Sequence, residues 1–330
     1  FRVRHAEGEG VYDAVLVCNG HYADPVLPPF LDPSLNTHTD KSTGGTPRIL
    51  HSIEYDSPEE FAGQRVLCVG ARASGADIAR EISKHASEVY LSDSTHVDEM
   101  RVENNVMLVG RTTRLEGNRV VYANGGREDS CEVDVILLCS GYHYQFPFID
   151  NESQLPLNAI PYERRVSPLY KQLFHAHHPN LSFLGLPHST LPFALCEFQS
   201  EAVAAHLLGL TELPSEEERV KDAENDATSG GWSGSGNVRD THFLGGFQWE
   251  YSRDIAKLSG VYNDEVENFI STNKAIYEHS GSYRKHLFPG DDAYRQTRYV
   301  RIDRHQSFEF TDYNLKSKIS GEPKQNSSGF

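Results

Sequence analysis

The apolar residues of this chain gather in short continuous runs, and several of those runs end in glycine. Tyr12 to Cys18 (Tyr-Asp-Ala-Val-Leu-Val-Cys) is the first, and it predicts a strand buried on both faces. It stops at Asn19-Gly20-His21-Tyr22, a turn, after which Pro25, Pro28 and Pro29 predict an extended connector. A second run, Arg65 to Val69, enters a turn at Gly70, and Ile78, Ala79, Ile82 and Ala86 then recur at helical spacing. A third, Val89 to Ser92, stops at the acid Asp93. A fourth, Val133 to Cys139, ends in Ser140-Gly141-Tyr142, much as the first ended. Asn105 to Tyr122 alternates apolar and polar residues around Gly110 and Gly117, which predicts short antiparallel strands.

The second half reads differently. Leu181 to Leu186 predicts a strand. Ala194 to Leu208 predicts a helix with Ala194, Leu195, Phe198, Ala202, Ala205 and Leu208 on one stripe. Asp222 to Asn237, with Gly230-Gly231 and Ser-Gly repeats, predicts a flexible insertion. Phe247 to Ser259 and Asp264 to Ser280 predict helices, and the polar stretch Thr37 to Thr46 a surface loop.

The stretch from Arg65 to Asp93 has the layout of a dinucleotide-binding βαβ unit: strand, glycine turn, helix, strand, acid. Such a turn lets backbone N–H groups and a helix N-terminus face a pyrophosphate, while the acid reaches a ribose hydroxyl. Gly70 and Gly75 fill the first and last places of G-x-G-x-x-G, and Arg72 fills the middle. Ser74 and Asp77 read as a capping box. The unit lies between two glycine-ended strands, so the chain is expected to leave one domain, build a second and return.

Composition narrows the function. The 330 residues suffice for two domains, and the formal net charge of −16 argues against nucleic acid and anionic membrane surfaces. No apolar run approaches the roughly 18 residues that span a bilayer. The chain begins at Phe1 and leads directly into a strand, which reads as a fragment whose beginning is missing. Of the five cysteines, Cys18, Cys68 and Cys139 sit in apolar runs, and there is no C-x-x-C, so a dithiol centre or cysteine zinc site is not expected. A reducing, cytoplasmic location fits. His175-Ala176-His177-His178 lies beside Pro179 without a companion carboxylate or cysteine at metal-ligand spacing, and no metal is expected. His51 and Tyr55, four apart, share a helix face or cap a turn before Pro58.

With these pieces in order, the chain resembles the flavin-containing monooxygenases over most of its length. Asn19-Gly20-His21-Tyr22 is similar to that family's N-G-H-x…P segment. His51 to Tyr55 is similar to the end of its F-x-G-x-x-x-H-x-x-x-[YF] fingerprint, although Gly45 and Pro47 depart from its front half. Gly70 to Ala79 resembles its NADP turn, G-x-x-x-S-G-x-D-I-A. Leu138 to Tyr142 with Phe146-Pro147-Phe148 resembles A-T-G-Y…F-P-F, and Thr241 to Leu244 with Gln248 to Tyr251 resembles T-H-x-L…Q-x-x-Y.

The resemblance implies an α/β flavoprotein with two dinucleotide-binding domains. An NAD(P) domain, residues 33–138, is inserted into a truncated FAD domain, residues 1–32 and 139–330, the latter ending in a helical segment. It implies an enzyme that uses NADPH and O₂ to oxygenate an amine nitrogen or sulfide sulfur through a flavin C4a-hydroperoxide. The cofactor carries that chemistry. The implied cofactor-binding residues are Gly70, Ala71, Arg72, Ser74, Gly75, Ala76, Asp77, Asp93, Asn19, Gly20, His51, Gly141 and Tyr142. No catalytic residue is assigned, because the family's first glycine motif and its active-site asparagine have no counterpart here. The fragment alone is therefore expected to bind FAD poorly. Phe193, Phe198 and Tyr142 are candidate walls for a dry site.

Asp93 and Arg72 pull cofactor choice in opposite directions, so NADH is a second candidate beside NADPH. Alternative functions are a Baeyer–Villiger monooxygenase, disfavoured by Tyr55-Asp56 in place of W-P, and a disulfide reductase, disfavoured by the missing C-x-x-C. A third is a non-catalytic nucleotide-binding remnant. The partners expected are a small nucleophile and O₂; the substrate itself and the oligomeric state are not written in the sequence.

Overall fold

The computed structural model describes residues 1–31, 45–149, 157–160, 164–284, 297–301 and 308–311. The expected surface loop at 37–46 falls outside them up to residue 44, and so does the polar tail 316–330. The chain forms two compact units. One comprises Phe1–Asp24 and Tyr142–Ala275, the other Pro25–Gly141 with the described residues from Ile276 on. The crossings fall at 24/25 and 141/142, against the expected 32/33 and 138/139, and the described residues from Ile276 on group with the second unit and not with the first. No described helix is long and apolar enough to cross a membrane.

In chain order, the first unit opens with the hairpin β1 (Arg2–His5) and β2 (Gly8–Val11), followed by β3 (Val15–Val17). The second unit holds β4 (Arg48–His51), β5 (Arg65–Val69), α1 (Ala73–Ile82), β6 (Glu88–Ser92), β7 (Met100–Glu103) and β8 (Val106–Val109). The meander β9 (Thr112–Glu116), β10 (Arg119–Asn124) and β11 (Arg127–Glu132) comes next, then β12 (Val135–Leu138). Back in the first unit come β13 (Leu169–Tyr170), β14 (Phe174–His175) and β15 (Leu181–Phe183). The helices α2 (Pro192–Leu207), α3 (Glu216–Ser229), α4 (Gln248–Leu258) and α5 (Asp264–Arg284) complete the order.

The second unit is built on a sheet of order β4-β12-β5-β6-β8-β7, parallel except for β7. Its apolar runs are continuous because both faces are covered. Val66, Cys68, Val135 and Leu137 point to one side and join Ala79, Ile82 and Ala86 of the α1 region in one core. Leu67, Ile136 and Leu138 point to the other and pack with Val120, Tyr122 and Cys131 of the meander. Burying a side chain such as Ile82, fully enclosed here, contributes about 1.5–3 kcal/mol.

Several expectations are corrected. Val106–Val109 does not pair with the antiparallel strands β9 to β11; it joins the parallel sheet beside β6, since both its faces are covered by the two cores. Tyr12 to Cys18 is not buried on both faces. Only β3 is strand, it forms the margin of the sheet β13-β14-β15-β3, and Leu16 is 44% exposed. Asp222 to Asn237 is not a flexible insertion: residues up to Ser229 belong to α3. Ser215 starts that helix with a capping box to Glu218, and Gly230 ends it at φ +77°. Charged residues dominate α3, so no apolar stripe announced it. On α2, Leu195, Phe198, Ala202 and Ala205 are buried as expected, but Leu208 lies beyond the helix and is 72% exposed.

Candidate dinucleotide turn and its surroundings

The parallel register brings the carboxyl ends of five strands into one row: His51, Leu138, Val69, Ser92 and Val109. From β5 the chain moves through α1 to β6 on one side, while β12 pairs on the other. The gap between β5 and β12 is thus the switch point of the sheet, where open α/β sheets bind ligands. Gly70 stands there with φ +104°, its N–H donating to the Ser92 carbonyl at 2.8 Å. A Cβ on Gly70 would lie 2.6 Å from the Cys139 carbonyl oxygen, and one on Gly75 would run into the Gly70 carbonyl. Both positions therefore require glycine, and together they let α1 start hard against the sheet.

No side chain caps the N-terminus of α1. The capping box read from Ser74 and Asp77 is absent because Arg72 is the N-cap, at φ −73°, which puts exposed Ser74 inside the first turn. Asp77 instead pairs with Arg80 at 3.6 Å. Ala76 is buried, its N–H donating to the Arg72 carbonyl at 3.0 Å. The first amides of a helix have no partner within it, and an N-terminus without a side-chain cap is the kind of place that takes a pyrophosphate.

Asp93 comes directly after β6. One carboxylate oxygen accepts the Ala71 N–H at 3.2 Å; the other accepts the Thr95 N–H at 2.9 Å and its hydroxyl at 2.8 Å. Burial pushes this carboxyl up, but those donors outweigh it and hold it below its ordinary range. Thr95 was missed from the sequence, though Asp-x-Thr after a strand is a turn signal. Ser92 is spent on structure: its hydroxyl donates to the Gly110 carbonyl at 2.9 Å and accepts the Thr112 N–H at 3.1 Å.

His51 ends β4 and shares no helix face with Tyr55. It caps a short 3₁₀ turn, its Nδ1 accepting the Ile53 N–H at 3.3 Å. Burial lowers its basicity, offset in part by the Gly141 carbonyl and Glu54. The Gly141 carbonyl also accepts the Val26 N–H at 2.9 Å. Tyr55 donates to Glu81 of α1 at 3.0 Å.

In the first unit, Asn19 Nδ2 donates to the Gln145 carbonyl at 3.3 Å, Gly20 takes φ +70°, and the Tyr142 ring packs on Tyr22 at 5.2 Å. The Asn19-Gly20 turn opens no helix. Among the described residues only β5 runs through a glycine turn directly into a helix, so they hold one candidate dinucleotide turn and no second. Of the proposed dry walls, Phe193 is 91% exposed and Phe198 is core against Phe269, so neither encloses a cavity in this unit.

The late histidine and glutamine segments serve as scaffolding. His242 is buried; its Nε2 accepts the Val166 N–H at 3.0 Å, which leaves Nδ1–H for Gln172 Oε1 at 3.3 Å. Burial, with nearby His188, His21 and Arg165, pushes its pKa down to about 3. Gln248 Oε1 accepts the Leu191 N–H at 2.8 Å at the start of α2. His175 Nδ1 accepts the N–H groups of His177 and His178 at 3.3 and 3.1 Å, closing a turn.

Asp226 of α3 borders a small cleft with Gln172, Thr241 and His242. Burial and the neighbouring Asp222 push its pKa up to about 7, opposed by Gln172 and Lys171. In the unfolded chain the same carboxyl ionises near pH 4. Its raised folded pKa therefore removes stability as pH climbs from about 4 to about 7, and the loss persists above. Asp226→Asn is expected to match the parent in urea unfolding at pH 4 and to exceed it by about 1–2 kcal/mol at pH 8, after discounting for solvent near the carboxyl. Equal stabilities at pH 8 would count against this assignment.

Comparison with known proteins agrees with this architecture. The family model described as flavin-binding monooxygenase-like matches residues 3–99 and 96–243. The flavin-containing monooxygenase FMO GS-OX-like 2 of Arabidopsis thaliana is 35% identical over 299 residues, covering 86% of this chain and 60% of the relative. FMO GS-OX-like 7 of the same plant is 37% identical over 219 residues, covering 63% of this chain and 43% of the relative. The chain thus spans little more than half the length of the curated relatives it matches. The structure of S-allyl-L-cysteine S-oxygenase from Allium sativum superposes with a TM-score of 0.73 at 28% identity, covering 96% of this chain and 66% of that one. Tmm from Pelagibacter, at 21% identity and a TM-score of 0.64, shares the fold. On the match of the family model across most of its length, and on the identity it keeps with the plant enzymes, this chain belongs to the flavin-containing monooxygenase family of two-domain α/β flavoproteins.

Proposed function

We propose that this chain is a part, holding the pyridine-nucleotide-binding unit, of an FAD-dependent monooxygenase that uses NAD(P)H and O₂ to oxygenate a soft nucleophile, a thioether sulfur in the first place. The observation that carries this reading is the β5–α1 turn at the switch point of a parallel sheet, in a chain of this family. Gly70 and Gly75 bring the helix start close to the sheet, Ala71 to Ala76 line the phosphate side, and Asp93 stands at the ribose side. Sulfur is favoured over amine nitrogen by the similarity to an S-oxygenase at 28% identity. In this reading the second unit is the inserted NAD(P) domain and the first belongs to the flavin domain.

The chain's own contribution is to bind and orient the nucleotide. Oxygen activation belongs to the flavin when it is bound. The test is the longest natural form of the protein, loaded with flavin, with NAD(P)H, O₂ and an alkyl cysteine thioether. One sulfoxide is expected for each NAD(P)H oxidised. Oxidation that yields hydrogen peroxide and no sulfoxide would defeat S-oxygenation.

The single glycine turn among the described residues favours one second reading, a nucleotide-binding protein without catalysis. Flavin absorbance decides between them. Purified with excess FAD, residues 1–330 are expected to retain well under one equivalent; a protein that also binds no flavin in its longest natural form is the remnant.

A further inference from the structure

The geometry around Asp93 points to a nucleotide site built for a free adenosine ribose: we infer that this chain binds NAD(H) in preference to NADP(H). The inference rests on the reading of β5–α1 as a dinucleotide turn and adds the selectivity of that turn.

Three observations carry it. First, the carboxylate is anchored. Ala71 N–H holds one oxygen at 3.2 Å, and Thr95 holds the other through its N–H and hydroxyl at 2.9 and 2.8 Å. The backbone beneath is fixed as well, since the Asp93 N–H donates to the Val109 carbonyl at 3.1 Å and the Gly70 N–H to the Ser92 carbonyl at 2.8 Å. Second, the place is the one a ribose occupies. Asp93 ends the strand after the glycine helix and touches the residue next after Gly70, where an acid accepts hydrogen bonds from the 2′- and 3′-hydroxyls. A 2′-phosphate there would bring about two negative charges against a fixed third, with little room for the carboxylate to turn away. Third, the loop beyond supplies no arginine or lysine, and His96 is the group in it that favours the charge on Asp93. It reads Ser94-Thr95-His96, and the next arginine or lysine in sequence is Arg101, whose guanidinium is engaged with Glu88 at 2.6 Å. The His96 ring lies 3.2 Å from the Val109 carbonyl. Arg72, in the glycine turn, is the cation on the other side, and it is the residue that can oppose the preference.

The experiment is calorimetric binding of NAD⁺ and NADP⁺ to the whole 330-residue chain, which reads affinity without turnover. NAD⁺ is expected to bind at least tenfold more tightly. Asp93→Asn keeps an oxygen for the Ala71 N–H and removes the charge, and it is expected to narrow the gap to threefold or less by strengthening NADP⁺. Arg72→Ala is expected to widen the gap, by weakening NADP⁺ more than NAD⁺. Thermal unfolding of each variant beside the parent keeps a folding defect separate, and Asp93→Ser provides a second uncharged side chain if Asp93→Asn is unstable. Equal binding, or tighter NADP⁺, overturns the selectivity and leaves the turn as a nucleotide site. Binding of neither nucleotide at millimolar concentration overturns both.

Discussion

Gly75→Val is expected to weaken dinucleotide binding by this chain more than a hundredfold and to destabilise it by about 2–4 kcal/mol. The reason is backbone against backbone. A side chain at 75 would run into the Gly70 carbonyl, and its Cβ would lie 3.1 Å from the Cys139 Cβ just past β12. Gly70 cannot yield, because its N–H is bound to the Ser92 carbonyl at 2.8 Å. The start of α1 must therefore lift from the sheet. Lifting uncovers Ala79 and Ile82, both fully buried, and moves the helix amides away from the phosphate position. Gly246→Ala is the control, since a Cβ there meets nothing within 4 Å. Calorimetry with the preferred nucleotide and urea unfolding read the two effects. Affinity within threefold of the parent would remove the β5–α1 turn as the binding site.

The second large effect is expected at Tyr251, in the other unit. Its side chain is fully buried. The hydroxyl donates to the Lys171 carbonyl at 2.9 Å and accepts from Gln199 Nε2 at 2.7 Å, while Gln199 Oε1 accepts the Gly185 N–H at 2.9 Å. One phenol thus joins α4 to α2, to the turn after β15 and to the β13–β14 turn. That last turn carries two non-glycine residues, Lys171 and Gln172, at φ +53°. Left-handed backbone at such residues persists only where its surroundings hold it. Tyr251→Phe keeps the ring and leaves a carbonyl and an amide N–H unpaired, at about 1–3 kcal/mol. Tyr251→Ala also opens a cavity beside Trp232, whose ring meets Tyr251 edge-on at 5.6 Å, and is expected to cost about 3–5 kcal/mol. Urea unfolding should rank parent, Phe and Ala in that order. A Phe variant as stable as the parent would mean that the hydroxyl's two partners are satisfied by other groups.

The sequence determined three neighbouring strands of the second unit's sheet with little ambiguity. Arg65–Val69, Glu88–Ser92 and Val135–Leu138 are continuous apolar runs, and continuity means cover on both faces. Their order around a glycine turn also located the candidate nucleotide site, because backbone geometry at Gly70 and Gly75 excludes any Cβ. Family membership was legible for a related reason: several short segments occurred in the right order.

Other features depended on partners remote in sequence. Val106–Val109 looked like its antiparallel neighbours until β6 paired with it. The Tyr12–Cys18 run looked buried, yet burial needs a strand on each side, and β3 has β15 alone among the described residues. α3 has no apolar stripe to betray it, so its capping box and its packing on the β13 region decide it. The histidine, glutamine and tyrosine of the late segments carry part of the family resemblance, and only tertiary contacts reveal them as supports for backbone carbonyls and amides. Asp93 divides between the two levels. Its place after β6 is written in the sequence, whereas its hold on the Ala71 amide exists only once β5 and β6 lie side by side, since a hydrogen bond across 22 residues is made by the sheet and not by the local chain.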